Sequence, residues 1–347
     1  MVFRFLHSIF TAAPIQPGKF DKDLMLRGIE RVVDGTDVRL RAVSHYRRKL
    51  WESVEHAIDF VVTFVNTLPP AIVADQQDYM ADPRLRALFA SPDSLREVLS
   101  FSDGTRNYLK QAPDPLPAEL FAGLGAVRVE KNVLGIEMEG EILRRDVPQT
   151  VVNFRDHRLA FLTDNEQDTR RELMRRAADY LIETALQRLT ASRVQKTQLE
   201  QQQRKLLLQK ANLLKKAQVG LASLVEPATM EPVDLSALEQ QLQELETELG
   251  QLRTDSATLD QHLAKVAATL SEPEKYLKLE PVSLTLDHIN TKVPHDSPRV
   301  ANSMTFQEIV MGEDRRVTAL FVRFPSNQLL PQPDFFKEAN RLLYSTR

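Results

Sequence analysis

Cysteine is absent from the 347 residues. That excludes disulfide cross-links, thiolate metal centres and a cysteine nucleophile together, because each needs a sulfur that is not there. Charge of one sign is missing as well. The 45 Lys and Arg stand against 48 Asp and Glu, a net charge of -3, so the chain as a whole is not a strongly basic nucleic-acid binder.

Long hydrophobic runs are also lacking. No stretch reaches the ~18 apolar residues of a membrane span. The longest, Phe60 to Val65, is interrupted by Thr63 and ends at Asn66. An export signal needs an unbroken apolar run of ~7–15 residues, and Arg4 and His7 break the one at the N-terminus. Phe3, Phe5, Leu6, Ile9 and Phe10 are therefore expected to dock on the protein's own core rather than on a membrane surface. The expected location is cytoplasmic.

The nucleotide and hydrolase motifs are missing too: there is no G-x-x-x-x-G-K-[ST], H-E-x-x-H, G-x-S-x-G or H-R-D. Gly123-Leu-Gly125 precedes a strand pattern instead of following one, which makes it turn chemistry rather than a phosphate loop.

What is present is strong patterning. Leu24, Leu26, Ile29, Val32 and Val33 mark a short helix that stops near Asp34-Gly35. Val38, Val43, Leu50, Val54, Ile58, Val61 and Val65 mark a second, ended by Pro69-Pro70. Ser91-Pro92 reads as a helix start, and residues 112–117 as a turn-rich connector.

Near residue 124 the period changes to two. Val127 and Val129 alternate with Arg128 and Glu130, then Ile136, Met138 and Ile142 alternate with glutamates. Val151–Phe154 and Leu159–Leu162 add one or two short strands of an antiparallel meander. Strand patterns return after 280, in Val282, Leu284 and Leu286 and in two runs flanking Gly312–Asp314, a hairpin turn. Val317–Val322 is apolar on both faces and reads as a central strand. A last helix is expected from Pro333 to Tyr344.

Between the two strand regions lies a heptad seam: Leu235, Leu238, Leu242, Leu245, Leu249, Leu252, Ser256, Leu259, Leu263, Val266 and Leu270, with steps alternating three and four. The stretch from 165 to 219 is also helical, with Thr163 and Glu166 at capping-box spacing. Leu199, Leu206 and Leu213 recur there every seven residues, with Leu207, Leu214 and Leu221 one place over. Residues 187–219 carry eight cations against one carboxylate, net +7, whereas 234–272 carry eight carboxylates against two cations, net -6. Each helix repels its own copy and attracts the other, and a short loop favours the internal partner. The expectation is an antiparallel intramolecular coiled-coil hairpin, its second helix roughly 55 Å long at ~1.5 Å per residue.

The fold class expected is α+β. An N-terminal helical region (1–123) leads into an antiparallel β-sheet (124–164 and 273–347, with the C-terminal helix). The hairpin (165–272, turn near 222–233) interrupts that sheet.

Candidate chemistry is sparse. Arg155-Asp156-His157-Arg158 is the densest polar cluster. Asp156 and His157 could make an acid/base pair and Arg155 and Arg158 could hold an anion, but a charged hairpin turn is the plainer reading. His157, His288 and His295 would need to converge to bind a metal, and no metal or cofactor is expected. Arg39, Arg41, Arg47, Arg48 and Lys49, interleaved with His45, Tyr46 and Trp51, could track nucleic acid or form an ordinary solvated helix face, and the second is preferred. The functional expectation is a non-catalytic scaffold, adaptor or assembly protein binding protein partners through the arm, with a further copy of itself among the partners considered. An enzyme or ligand site near Arg155–Arg158 is the first alternative, and nucleic-acid association through residues 39–51 the second.

Overall fold

A computed structural model describes residues 20–139, 142–222, 240–247, 259–294 and 299–331. It mixes helix with an antiparallel sheet, the α+β class. The expected C-terminal helix, most of the seam from Leu235 to Leu252, and the proposed turn near 222–233 lie outside the described residues. No helix among the described residues is long and apolar enough to cross a membrane. The chain divides into two compact units.

The sheet unit contains Ile58–Ala178 and the described residues from Pro273 onward. Its strands are β1 (Ile72–Val73), β2 (Glu119–Glu139), β3 (Ile142–Thr163), β4 (Leu277–Leu286), β5 (Asn302–Met311) and β6 (Arg315–Pro325). They stand in the order β3-β2-β6-β5-β4, with β1 parallel to part of β6. Strands from before and after the helical region thus share one sheet. β6 is central, and Gly312, at φ 65°, makes the turn from β5 into it. After β4 the chain bridges both sheet edges: Leu286 pairs with Lys292, and Thr291 pairs with Val151 on β3.

One sheet face carries the core. Alternate residues Leu120, Ala122, Leu124 and Ala126 meet Val152, Phe154, Leu284, Phe306, Val322 and Phe324. Four short helices, α3 (Asp78–Ala81), α4 (Pro83–Leu88), α5 (Pro92–Phe101) and α6 (Asp103–Leu109), supply Tyr79, Leu85, Leu88, Leu95 and Leu99 to the same cluster. Each such side chain, fully buried, contributes about 1.5–3 kcal/mol. α5 begins as expected: Ser91 caps it, with Pro92 next and Ser94 closing a capping box. α6 comes so near β3 that a Cβ on Gly104 would stand 2.1 Å from the Leu159 carbonyl oxygen, so only glycine fits.

Two sequence expectations change here. β2 and β3 form one long hairpin of 21 and 22 residues rather than a meander of short strands. The segment 155–158 is not its turn. Arg155 pairs with Val127 and Arg158 with Gly125, so the two residues between them form a β-bulge, with Asp156 at φ 54°.

The helix α7 (Glu166–Ala222) follows β3. Thr163 does not cap it; its hydroxyl donates to the Asn165 carbonyl, and Asn165 Oδ1 accepts the Asp168 N–H at 2.8 Å. Glu166 instead accepts the Ala71 N–H. Arg170, one turn on, donates to the carbonyls of Val65, Leu68 and Pro69 at 2.8–3.1 Å, which closes the C-terminal end of the helix that stops at Asn66. Its guanidinium lies 4.5 Å from the Phe321 ring centre.

The helical unit contains Phe20–Ala57 and the described residues of Asp179–Glu272. α1 (Lys22–Thr36) buries Leu24, Met25, Ile29, Val32 and Val33, as its periodicity predicts. A 3-10 turn (Val38–Ala42) separates it from α2 (Tyr46–Asn66). Val38, expected on the second apolar stripe, is in that turn and 55% exposed. Arg31 Nε donates to Asp179 at 2.7 Å. A helical run, α8 (240–247), precedes α9 (Leu259–Leu270), which buries the seam residues Leu263, Val266 and Leu270. Arg188 on α7 donates to Thr269 on α9 at 3.1 Å.

Candidate functional site

Beyond Ala126, β2 leaves β6, because Ala126 is its last residue paired there. Arg128 is the next residue on the core-facing side, and its side chain reaches across to β5. Glu308 is the carboxylate it meets. It is directly cross-strand from Glu280 and Thr318, on the same strand face as Phe306 and Val310, and only 1% exposed. Arg128 Nε donates to Glu308 Oε1 at 2.6 Å and Nη2 to Oε2 at 3.3 Å, a two-pronged grip.

The network extends outward from that pair. Arg128 also donates to Glu130, and Lys292 meets the other Glu130 oxygen at 2.6 Å. Arg316 bonds Glu280 at 2.6 Å and lies 3.9 Å from Glu308. The hydrogen bond to Glu308 raises the Arg128 pKa further above its ordinary value, and burial opposes this only in part. The buried carboxylate is held on both oxygens by one guanidinium, with Arg316 as a second, more distant cation. Its chemistry is that of an ionic plug at one end of an apolar core.

This cluster went unrecognised in the sequence, although a signal was there. In Met304, Phe306, Glu308, Val310 the apolar alternation contains one carboxylate, and a carboxylate on a buried strand face requires a cation.

The sequence-predicted polar cluster is arranged differently. Arg155, Asp156 and Arg158 are exposed. His157 turns toward the helices and stacks on Phe89, with ring centroids 4.6 Å apart. Its Nε2 is buried without a hydrogen-bond partner. Burial lowers its pKa below the usual histidine value, against weaker opposing effects of the Leu88 backbone and the Asp156 charge. Asp156 therefore acts on His157 as a nearby charge, and no shared site is formed between them.

The basic helix residues are largely engaged with acids. Arg39 is bonded to Asp37, Arg41 to Glu30 and Asp34, Arg47 to Glu30, and Lys49 to Asp260. Arg48 is exposed. Glu30 is the hub. Burial would raise its pKa, but hydrogen bonds from Tyr46, Arg41 and Arg47 outweigh that and hold it below the ordinary range. A phosphate backbone would have to compete with these carboxylates for each cation.

No group of three or more potential metal ligands occurs among the described residues, and His295 lies outside them. His288 is in the turn after β4.

The candidate interaction site is helical. Between Leu199 and Ala211 on α7, the partly covered residues are Leu199, Glu200, Gln203, Leu206 and Lys210; the others are exposed. Leu207 and Leu208 are 49% and 64% exposed. In α8 only Leu242 and Leu245 are partly covered. On α7, Leu199, Gln203, Leu206 and Lys210 follow steps of four, three and four, and on α8 Leu242 and Leu245 are three apart.

Compared with protein-family models, curated proteins and solved structures, the chain matches none.

Proposed function

We propose that this protein is a non-catalytic cytoplasmic scaffold or adaptor that binds protein partners through a coiled-coil arm made by the far part of α7 and the helix containing α8. The observation that carries this reading is the partly covered stripe on α7, with two partly covered leucines on α8 that belong to the seam read from the sequence. Leu199, Glu200, Gln203, Leu206 and Lys210 on one helix, and Leu242 and Leu245 on the other, are the partly covered positions of surfaces otherwise in water. Their opposite net charges favour pairing with each other over self-pairing. Once that seam is covered, Leu207 and Leu208 remain as an apolar patch facing outward, the kind of feature that marks a partner site. Glu308 is paired with Arg128 on the buried sheet face, and the Arg155–Arg158 cluster is split between exposed residues and a His157 turned toward Phe89, so neither favours the enzyme alternative.

The test replaces residues 191–258 with a short linker, which leaves Arg188 and α9 in place. A second, full-length variant carries Leu207→Asp and Leu208→Asp. Affinity purification from native extract is expected to lose the same partners with both, while thermal melts keep the transition of the sheet unit. Retention of every partner by both variants would overturn the reading.

A further inference from the structure

One side of α7 carries exposed residues that the heptad stripe does not use. At about 100° per residue, Leu208 lies opposite the stripe of Leu199, Gln203, Leu206 and Lys210. It is 64% exposed, and Leu207 beside it is 49% exposed. Arg204 and Lys205 stand four and three positions before Leu208, one turn back and on either side of it, and Ala211 follows it; all three are exposed. Neither cation bonds a carboxylate among the described residues. No acid stands close in sequence, because Gln201 to Val219 contain no Asp or Glu. The basic residues near the start of α2 differ: Arg39, Arg41, Arg47 and Lys49 are each held by an acid.

Charge and apolarity together select the occupant of this face. A nucleic acid meets the cations but leaves the leucines uncovered, and the face has no aromatic side chain on which a base could stack. A membrane surface is suited by an apolar strip along a whole helix, and here the strip is two leucines between glutamines. A second copy offers either another cationic α7 or the helix of α8. The exposed positions of α8, Gln240, Gln241, Gln243, Glu244, Glu246 and Thr247, bring charge but no apolar cover. What fits both features is a helix of another protein with an apolar stripe bordered by carboxylates.

We propose that this face of α7 binds an acidic amphipathic helix of a partner protein. The partner's apolar stripe covers Leu207 and Leu208, and the carboxylates along its borders meet Arg204 and Lys205. Leucine contact supplies the burial, and the unpaired cations set which sign of charge is accepted. This inference rests on the reading of the arm as a protein-binding device, and adds the chemistry that the partner must present.

Fluorescence anisotropy on the full-length chain tests it. The probe is a labelled synthetic helix of three heptads with leucine at a and d and glutamate at e and g; a second probe has lysine in place of glutamate. The acidic helix is expected to bind and the basic one not to. Arg204→Glu with Lys205→Glu is expected to weaken the acidic helix by about tenfold or more and to admit the basic one. Leu207→Asn with Leu208→Asn should weaken the acidic helix as strongly, with helical circular dichroism unchanged in both variants. Equal binding of the two probes, or binding of neither, would overturn the proposal. So would acidic-helix binding that neither variant alters, because the probe would then occupy the covered stripe. Tighter binding of a single-stranded oligonucleotide or of phosphatidylserine vesicles than of the acidic helix would also overturn it, as would a dimer in sedimentation velocity that the leucine variant dissociates. Extract partners lost with Leu207→Asp and Leu208→Asp but kept with the charge reversal would leave the scaffold reading in place and remove this one.

Discussion

The cost of placing Glu308 on a buried strand face is met by the guanidinium of Arg128, and that dependence is asymmetric. Arg128 is partly exposed and could reach water if its partner were lost; Glu308 is 1% exposed and could not. Removing the cation strands a buried carboxylate, a change that costs ~3–5 kcal/mol for buried pairs. Arg128→Leu is therefore expected to lower unfolding stability by about that amount in urea titration. Glu308→Leu added to it should recover most of the loss, because two apolar groups of similar size leave no unpaired charge. A loss under about 1 kcal/mol for Arg128→Leu would mean that Arg316, 3.9 Å from Glu308, takes over the pairing. Gly104 and Arg170 are constrained as tightly, one by a carbonyl that excludes any Cβ and the other by three carbonyls it must satisfy.

At the scale of elements, the contact between Arg188 and Thr269 supplies a register. In the proposed hairpin, with the heptad counted without a break from α8 to α9, an equal count along each arm from that contact sets Ala211 level with Glu246. The chain has no cysteine, so Ala211→Cys with Glu246→Cys introduces the only two labelling sites. Spin labels there are expected about 20 Å apart or less, given helix axes ~8–10 Å apart, and the distance should survive dilution with unlabelled protein. A distance that vanishes on dilution would assign the pairing to two molecules. Much of this element scale was readable from sequence. The stripes of α1 and α2, the Ser91 cap, the Gly312 turn and the central β6 each follow from local periodicity or turn chemistry. The β2–β3 hairpin was not, for two physical reasons. Past Val129 both its faces are exposed, so Lys131, Asn132, Val133 and Leu134 show no inside and outside. Bulges with Asp146, Asp156 and Phe161 at positive φ then shift the phase of the alternation along β3. The Arg128–Glu308 plug escaped notice because its partners are 180 residues apart and meet only when β2 outruns β6.

For the molecule as a whole, proton uptake should destabilise the two units in different pH ranges. His157 and Asp82 belong to the sheet unit and Glu30 to the helical unit. Burial lowers the His157 pKa, so its neutral form is the one the fold accepts. Its contribution is complete above the unfolded value of ~6.5 and is lost as pH falls from there toward the lower folded value. At Asp82 burial again opposes ionisation, but bonds from Arg84 outweigh it and lower the pKa. Glu30 is lowered in the same sense by Tyr46, Arg41 and Arg47. Both carboxylates stabilise above their unfolded values of ~4 and lose that contribution only as pH falls through the lower folded ones. Calorimetry from pH 8 to 3 should therefore show the sheet unit's transition falling first, below about pH 6.5, with the helical unit's transition holding until about pH 4.5. His157→Phe keeps a ring on Phe89 and removes the titrating nitrogen, so the first fall should disappear while the second remains. If both transitions moved together at every pH and His157→Phe altered neither, the buried Nε2 would have no energetic role and the units would unfold as one cooperative body.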